Sequence, residues 1–401
     1  MRVLIVGVGT RGDVAPYTGL GARLRSAGHE VAIAAHEPYA RMVREAGLEF
    51  RPIAGDPLAV LAPGAGAARL RQYARYGRQV EDGIVGAAAQ GADILLLNVA
   101  ASAGCHVAEA MGVPSLGVHL QPVEPTGDFP PVLGTVRRSL GPRGNRAAAR
   151  LAFAVPSPAH AGSARRLRAR LGLPPMSSRA VYRRREAGRW PVLHGFSPVV
   201  LPRPRDWREG LEVVGYWWPA RPADPRPPRH LRDFLESGPP PVFVGLGSMA
   251  AWDTGRFTEL AVRALRRARV RGVLQTGVTG ALTDDVLGVD EVSHEWLFPR
   301  MAAVAHPAGC GTVAAGLRAG VPAVAMPARA DQWLWAARLA ALGVAPEPVP
   351  WRRVSERALA DGIRAALEGR VRERAAALAR LVTAEDGAGA VVKAVDGMFG
   401  A

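Results

Sequence analysis

The sequence has no uninterrupted apolar run approaching the roughly 18 residues that cross a bilayer. Its first residues, MRVLIVGVGTRGD, enter an apolar segment and a glycine turn with no cleavage site. A cytoplasmic location without a transmembrane segment is the expectation. Cysteine is scarce: Cys105 and Cys310 lie far apart and lack metal-ligand spacing, which excludes a disulfide framework and suggests no zinc site. Lysine is nearly absent, Lys393 being the only one among 51 basic residues. The net charge of +16 is therefore an arginine charge. Aromatic residues make up only 6 % of the chain, and few stand among the arginines between Arg137 and Arg189. Single-stranded nucleic acid is held by stacking platforms interleaved with cations, so no nucleic-acid partner is expected. That basic stretch, in which Glu186 is the only acidic residue, reads first as a solvated surface. Contact with an anionic acceptor or, peripherally, with an anionic membrane surface is the functional alternative.

What is present is a globular composition, with 48 % hydrophobic and 21 % charged residues. A chain of 401 residues exceeds the usual single core, so two domains of about 200 residues each are expected. Short apolar runs alternate with helix-length segments, the pattern of doubly wound α/β domains. In the first half, strands are expected at Val3 to Val6, Val31 to Ala34, Leu48 to Phe50, Ile94 to Leu97 and Ser115 to Val118. In the second half they are expected at Pro241 to Leu246, Gly272 to Gln275, Gly288 to Val292, Ala302 to Ala305 and Ala323 to Ala325. Proline density rises between Pro198 and Pro228, as in a semi-rigid linker. The expected organisation is an acceptor-binding Rossmann-like domain over 1–200, a linker over 201–228, a nucleotide-binding Rossmann-like domain over 229–385 and a C-terminal helix over 386–401. That helix could pack back on the first domain.

Two glycine-rich turns carry the chemistry. Gly7-Val8-Gly9-Thr10-Arg11-Gly12-Asp13 follows a buried strand and opens a helix. Its three glycines fall at the G-x-G-x-x-G spacing of a dinucleotide fingerprint, but the Asp13 carboxylate directly after them opposes a pyrophosphate. Taken alone, Asp13 is as readily a helix cap as a reactive group. In the second half, Ala305-His306-Pro307-Ala308-Gly309-Cys310-Gly311-Thr312 joins a strand to a helix closed by Gly320 and Pro322. Gly309 and Gly311 expose backbone N–H groups, Thr312 adds a hydroxyl and His306 is a donor for a diphosphate oxygen. Gly245-Leu246-Gly247-Ser248 is a second turn able to present Ser248 to phosphate. Asp331 and Gln332 end a turn and suit sugar hydroxyls.

The order GSM, HPAGCGT, AGVPAVAMP and ADQ resembles the donor half of family 1 glycosyltransferases. The N-terminal GTRGD is similar to their bacterial natural-product branch, which decorates antibiotics with sugars. The resemblance implies the GT-B fold, two facing Rossmann-like domains with a deep interdomain cleft. It implies that His306, Gly309, Gly311, Thr312 and Ser248 bind the donor diphosphate, with Arg11 and Gly12 bordering that site. It further implies that Asp331 and Gln332 hold the sugar, that Trp296 and Leu297 lie near the nucleobase, and that Asp13 is the acceptor base. The family commonly shows HHGGAGT, so Pro307, Ala308 and Cys310 are departures, and Pro307 removes one backbone N–H.

The expected activity is inverting transfer of a sugar from a dTDP- or UDP-sugar to a hydroxyl of a hydrophobic or partly anionic natural-product acceptor. The nucleotide-sugar is a co-substrate, and no cofactor is expected. Asp13 takes the hydroxyl proton while the helix beginning near Thr312 stabilises the departing diphosphate. The chain has no Asp-x-Asp pair, and metal independence is expected. Acceptor recognition is placed in 61–84 and in the long loop from His119 to Thr135, with His119 and Gln121 as pocket residues. Two rivals remain at this stage. A nucleotide-sugar epimerase of the same fold leaves the carboxylate of GTRGD unexplained, and a non-catalytic nucleotide- or nucleic-acid-binding protein leaves His306 and Asp331 unexplained.

Overall fold

A computed structural model of the chain describes residues 1–61, 66–132, 138–154, 162–221, 227–247 and 254–399. The chain divides into two compact units. One comprises Met1–Pro198, Pro202–Ala220 and Asp386–Ala401, the other Val199–Leu201 and Arg221–Glu385.

The first unit is built on seven strands, β1 (Arg2–Val6), β2 (Glu30–His36), β3 (Glu49–Ile53), β4 (Ile94–Leu97), β5 (Ser115–His119), β6 (Val192–His194) and β7 (Leu211–Val213). All pair in parallel in the order β3-β2-β1-β4-β5-β6-β7. Runs such as Ile94-Leu95-Leu96-Leu97 are wholly buried, as a strand covered by helices on both faces must be. The helix Arg11–Ser26 turns Val14, Tyr17, Leu20 and Leu24 inward on one stripe. The strand order reverses between β1 and β4, so the loops leaving these two strands diverge and open a crevice at their carboxyl ends. Gly7 to Asp13 is the first of those loops.

The second unit contains β8 (Val242–Gly245), β9 (Gly272–Gln275), β10 (Gly280–Thr283), β11 (Val286–Gly288), β12 (Ala303–His306) and β13 (Ala323–Ala325). Their order is β10-β11-β9-β8-β12-β13, parallel except for the β10-β11 hairpin. Here the order reverses between β8 and β12, which places the loops 246–247 and 306–312 at the switch point. Both units are thus doubly wound sheets whose carboxyl edges carry the glycine turns singled out in the sequence.

The structure departs from the sequence expectations in two places. The stretch 201–228 is not wholly a linker, because Leu211–Val213 adds β7 to the edge of the first sheet, a position where flanking prolines are tolerated. Three residues are too few to show a period. The expected strand Gly288 to Val292 is replaced by the β10-β11 hairpin, so 289–292 lie beyond the carboxyl end of β11. The C-terminal helix Gly387–Gly397 belongs to the first unit. It buries Val391 and Val395 completely, and the indole N–H of Trp217 donates to the Gly387 carbonyl at 3.1 Å. A Cβ at Gly387 would lie 2.4 Å from the Gly215 carbonyl oxygen, so only glycine permits this approach. Among the described residues no helix is long and apolar enough to cross a membrane.

Candidate active site

In the first unit, Thr10 and Asp13 form a capping box at the start of the helix Arg11–Ser26. The Asp13 N–H donates to the Thr10 carbonyl at 2.9 Å. Asp13 Oδ2 accepts from the Thr10 N–H at 2.9 Å and from its hydroxyl at 3.1 Å. The capping interpretation of Asp13 is therefore correct as far as it goes. The other oxygen, Oδ1, accepts from Gln121 Nε2 at 3.3 Å, so the loop after β5 reaches the carboxylate. Gly9 has a φ of +136°, and a Cβ there would stand 2.5 Å from Asp13 Oδ2. The turn needs glycine for its backbone and for the space the carboxylate fills. At Gly12 a Cβ would meet nothing within 4 Å, and Arg11 is exposed, so this side of the turn is open.

Residues not singled out in the sequence support this turn. Asn98, buried directly after β4, donates to the Val8 carbonyl at 2.8 Å and accepts from the Ala101 N–H at 3.0 Å. A lone polar residue ending the run ILLL was the available signal. His36 Nδ1 lies 3.1 Å from the Ile53 carbonyl and Nε2 lies 2.9 Å from the Tyr76 hydroxyl. The carbonyl can only accept, so Nδ1 carries the proton and Tyr76 donates to Nε2. Burial pushes the His36 pKa down. Burial, and then the charge of Asp13, push the Tyr76 hydroxyl up.

The structure separates the two expected acceptor residues. Gln121 touches Asp13, whereas His119 is buried at 3 % exposure, with its ring centroid 5.7 Å from that of His194 and 6.2 Å from that of Trp190. Burial, then His194, drive the His119 pKa well down. The basic stretch also resolves into particular partners. Arg168, 1 % exposed, donates to Glu109 at 2.6 Å and lies 3.2 Å from His106 Nδ1. Arg184 also reaches Glu109 at 2.7 Å, and Arg185 lies 3.7 Å over the Trp190 ring. Hydrogen bonds from Arg168, and from Arg184 with both charges, hold the Glu109 pKa at about 2. These three arginines tie the helices Ser163–Arg170 and Ser178–Ala187 to the helix Gly104–Met111 and to Trp190. Residues 137 and 155–161 lie outside the described part of the stretch.

In the second unit, the helix Cys310–Ala319 begins at the switch point with Gly309 as its N-cap and no side chain capping it. The positive end of the helix and its first N–H groups form a ready anion site. A Cβ at Gly309 would meet nothing within 4 Å, and Gly309, Gly311 and Thr312 are all partly exposed. Beneath them lies His306, 2 % exposed, whose Nδ1 accepts the Ala308 N–H at 3.0 Å. Nδ1 is therefore unprotonated and Nε2 carries the hydrogen. Among the described residues Nε2 has no hydrogen-bond partner; the ring borders a small apolar void lined by Val313, Leu317, Leu339 and Val344. Burial, then His294, hold its pKa at about 3. The sequence expectation was a donor to a diphosphate oxygen; the ring under the loop is neutral, supports the loop through Nδ1 and keeps its hydrogen on Nε2. Ala308 has a φ of +66°, the left-handed region that favours glycine, and its contact with His306 holds it there.

The remaining expected residues are distributed unevenly. Gln332 Oε1 accepts from the Ala328 and Arg329 N–H groups at 2.9 and 3.1 Å, and Asp331 Oδ2 accepts from the Trp335 indole at 3.0 Å. Both residues thus brace the turn after β13 at the carboxyl edge. Leu297 is 0 % exposed, which corrects its placement near a nucleobase: it is core. Trp296 stacks under Arg300 at 4.3 Å and lines a hollow with Arg232, Gly238 and Pro240. Those residues precede β8 and β12, so Trp296 faces the amino edge of the sheet, opposite the phosphate loop. Ser248 lies outside the described residues, next to Gly247, whose φ is +53°.

Comparison with known proteins agrees with this fold. The Glycosyltransferase family 28 N-terminal domain matches residues 3–126. An O-mycaminosyltylonolide 6-deoxyallosyltransferase of Streptomyces fradiae is 38 % identical over 410 aligned residues, covering 96 % of this chain and 95 % of the relative. A sterol 3-beta-glucosyltransferase of Arabidopsis thaliana is 32 % identical over 98 % of this chain, which spans 65 % of that relative. Among solved structures, the glycosyltransferase of kitacinnamycin superposes with a TM-score of 0.73 at 21 % identity, covering 98 % of both chains. The glycosyltransferase SsfS6 of Streptomyces sp. SF2575, complexed with thymidine diphosphate, superposes with a TM-score of 0.64 at 20 % identity, covering 99 % of both. These structures share the fold. The chain belongs to the GT-B glycosyltransferases, in the bacterial natural-product branch.

Proposed function

We propose that this glycosyltransferase moves a sugar, with inversion, from a dTDP- or UDP-sugar to a hydroxyl of a small natural-product acceptor in the cytoplasm. The observation that carries the donor half is the uncapped start of the helix Cys310–Ala319 at the switch point of the second sheet. A diphosphate accepts hydrogen bonds from the amides of Gly311 and Thr312 and from the Thr312 hydroxyl, with Gly309 allowing close approach and Ser248 as a further ligand. His306 serves this site by holding the loop. Asp331 and Gln332 remain the sugar ligands, on the turn after β13 that they brace.

In the first unit, Asp13 takes the proton of the acceptor hydroxyl as that oxygen attacks the anomeric carbon. Arg11 and Gly12 border the donor, and the loop after His119 shapes the acceptor pocket. The leaving diphosphate gains negative charge as its bond breaks, and the helix start stabilises that charge without a metal ion. The 38 % identity with a 6-deoxyallosyltransferase over almost the full length of both chains supports a dTDP-linked deoxysugar and a hydrophobic acceptor. Thymidine and uridine diphosphates, added separately while the melting temperature is followed, test the donor half. Stabilisation that grows with concentration, stronger for thymidine diphosphate, is expected. No stabilisation by either nucleotide would defeat the proposal.

A further inference from the structure

The two oxygens of the Asp13 carboxylate have different surroundings. Oδ2 belongs to the helix start: it accepts both the N–H and the hydroxyl of Thr10, at 2.9 and 3.1 Å, and Gly9 leaves no more than the room it occupies. Oδ1 faces the loop that follows β5 and meets Gln121 Nε2 at 3.3 Å. We infer that Oδ1 is the atom that receives the acceptor proton and that Gln121 is the positioning residue that aims it. This rests on the reading of Asp13 as the base.

A carboxylate fixed through one oxygen alone can still swing about its Cβ–Cγ bond; the charge-assisted contact at Oδ1 gives the plane a second anchor. The cost of a misplaced base is high, since proton transfer requires hydrogen-bond distance to the reacting hydroxyl. In the step itself the acceptor O–H proton passes to Oδ1 as its oxygen bonds to the anomeric carbon. The bond from that carbon to the diphosphate breaks, and its electron pair leaves on the nucleoside diphosphate. A primary amide suits the neighbouring position because it offers both a donor and an acceptor. Nε2 donates to the carboxylate before transfer. A carboxylate there would repel Asp13, and a hydrocarbon would release it. Titratable groups around Asp13 include Arg11 in the same turn and Tyr76, which feels the Asp13 charge and is held by His36. None of these changes in the variants below.

The test is carbon NMR of the full chain carrying 13C-labelled aspartate, with Asp13→Asn identifying the Asp13 signal. In Gln121→Met, similar in shape but without the donor, the titration midpoint of that signal should rise by about one pH unit. Gln121→Glu should raise it further, and serves if Gln121→Met does not fold. Hydrolysis of dTDP-glucose supplies the second readout: the acidic limb of kcat should move by the same amount, while KM for the donor stays within about twofold. Midpoints unmoved in both variants, with Asp13→Asn inactive, would overturn the role of Gln121 alone. Asp13→Asn hydrolysing donor at the unaltered rate would overturn the base itself and leave Gln121 as a partner of a helix cap.

Discussion

The Nδ1 atom of His306 accepts the backbone N–H of Ala308 at 3.0 Å, and Ala308 is the one residue of the phosphate loop whose backbone is left-handed without being glycine. The bond fixes the imidazole tautomer and stabilises a conformation that costs an alanine about 1 to 2 kcal/mol.

His306→Ala should weaken thymidine diphosphate binding by about tenfold, on the order of 1.4 kcal/mol. His306→Asn can still present an oxygen to the Ala308 N–H, and it should hold binding within about threefold. Calorimetric titration of both variants separates loop support from direct contact. Equal and severe losses in the two would mean that the ring reaches the phosphate.

Acid should destabilise the protein well above the carboxylate range. Burial holds His306 and His194 at about 3 and His106 at about 4. These groups are neutral when folded and take up protons near pH 6.5 when unfolded, so the unfolded chain binds more protons below that value and stability falls as pH falls. Between pH 6.5 and 5, His306 and His194 each account for about 2 kcal/mol. The loss ends only near pH 3. Denaturant midpoints measured from pH 8 to pH 4.5 should be flat above pH 7 and drop steadily below 6.5; a flat profile down to pH 5 contradicts the burial described.

The two glycines flanking the Thr10-Arg11 pair should respond oppositely. Gly9→Ala must place a side chain at φ +136° and against Asp13 Oδ2, costing about 2 kcal/mol or more and most of the turnover. Gly12→Ala meets open space and should melt within about a degree or two of the parent, yet lose turnover if substrate occupies that space. Melting curves and initial rates on the same preparations check both.

Deleting residues 386–401 should lower the stability of the first unit by several kcal/mol, because it uncovers the surface that Val391 and Val395 bury and frees the Trp217 indole. A milder form of the same loss is expected for Gly387→Ala, whose Cβ meets the Gly215 carbonyl. Chelators, by contrast, should leave turnover unchanged: the helix start at Cys310 supplies the positive potential for the leaving group. Rates measured with and without EDTA test this.

Much of this protein was legible in its sequence. The GTRGD and HPAGCGT turns stand out because glycines directly after buried strands have few purposes, and both fall at the switch points of their sheets. The strands β6 and β7 were not legible, being three residues each among prolines and arginines. Gln121 was flagged for the acceptor pocket, but no spacing rule ties it to a carboxylate 108 positions away; only the approach of the β1 and β5 loops does so. Trp296 and Leu297 sit one residue apart and face the amino edge and the core respectively. A loop sequence alone does not reveal such orientations.

The central claim is inversion at the anomeric carbon, and the anomer released from dTDP-α-D-glucose tests it most directly. Proton NMR during the first minutes of enzymatic hydrolysis, before mutarotation, should show β-glucose forming in the parent and little of either anomer in Asp13→Asn. Release of α-glucose would contradict single displacement, and an Asp13→Asn protein as fast as the parent would contradict the assignment of the base.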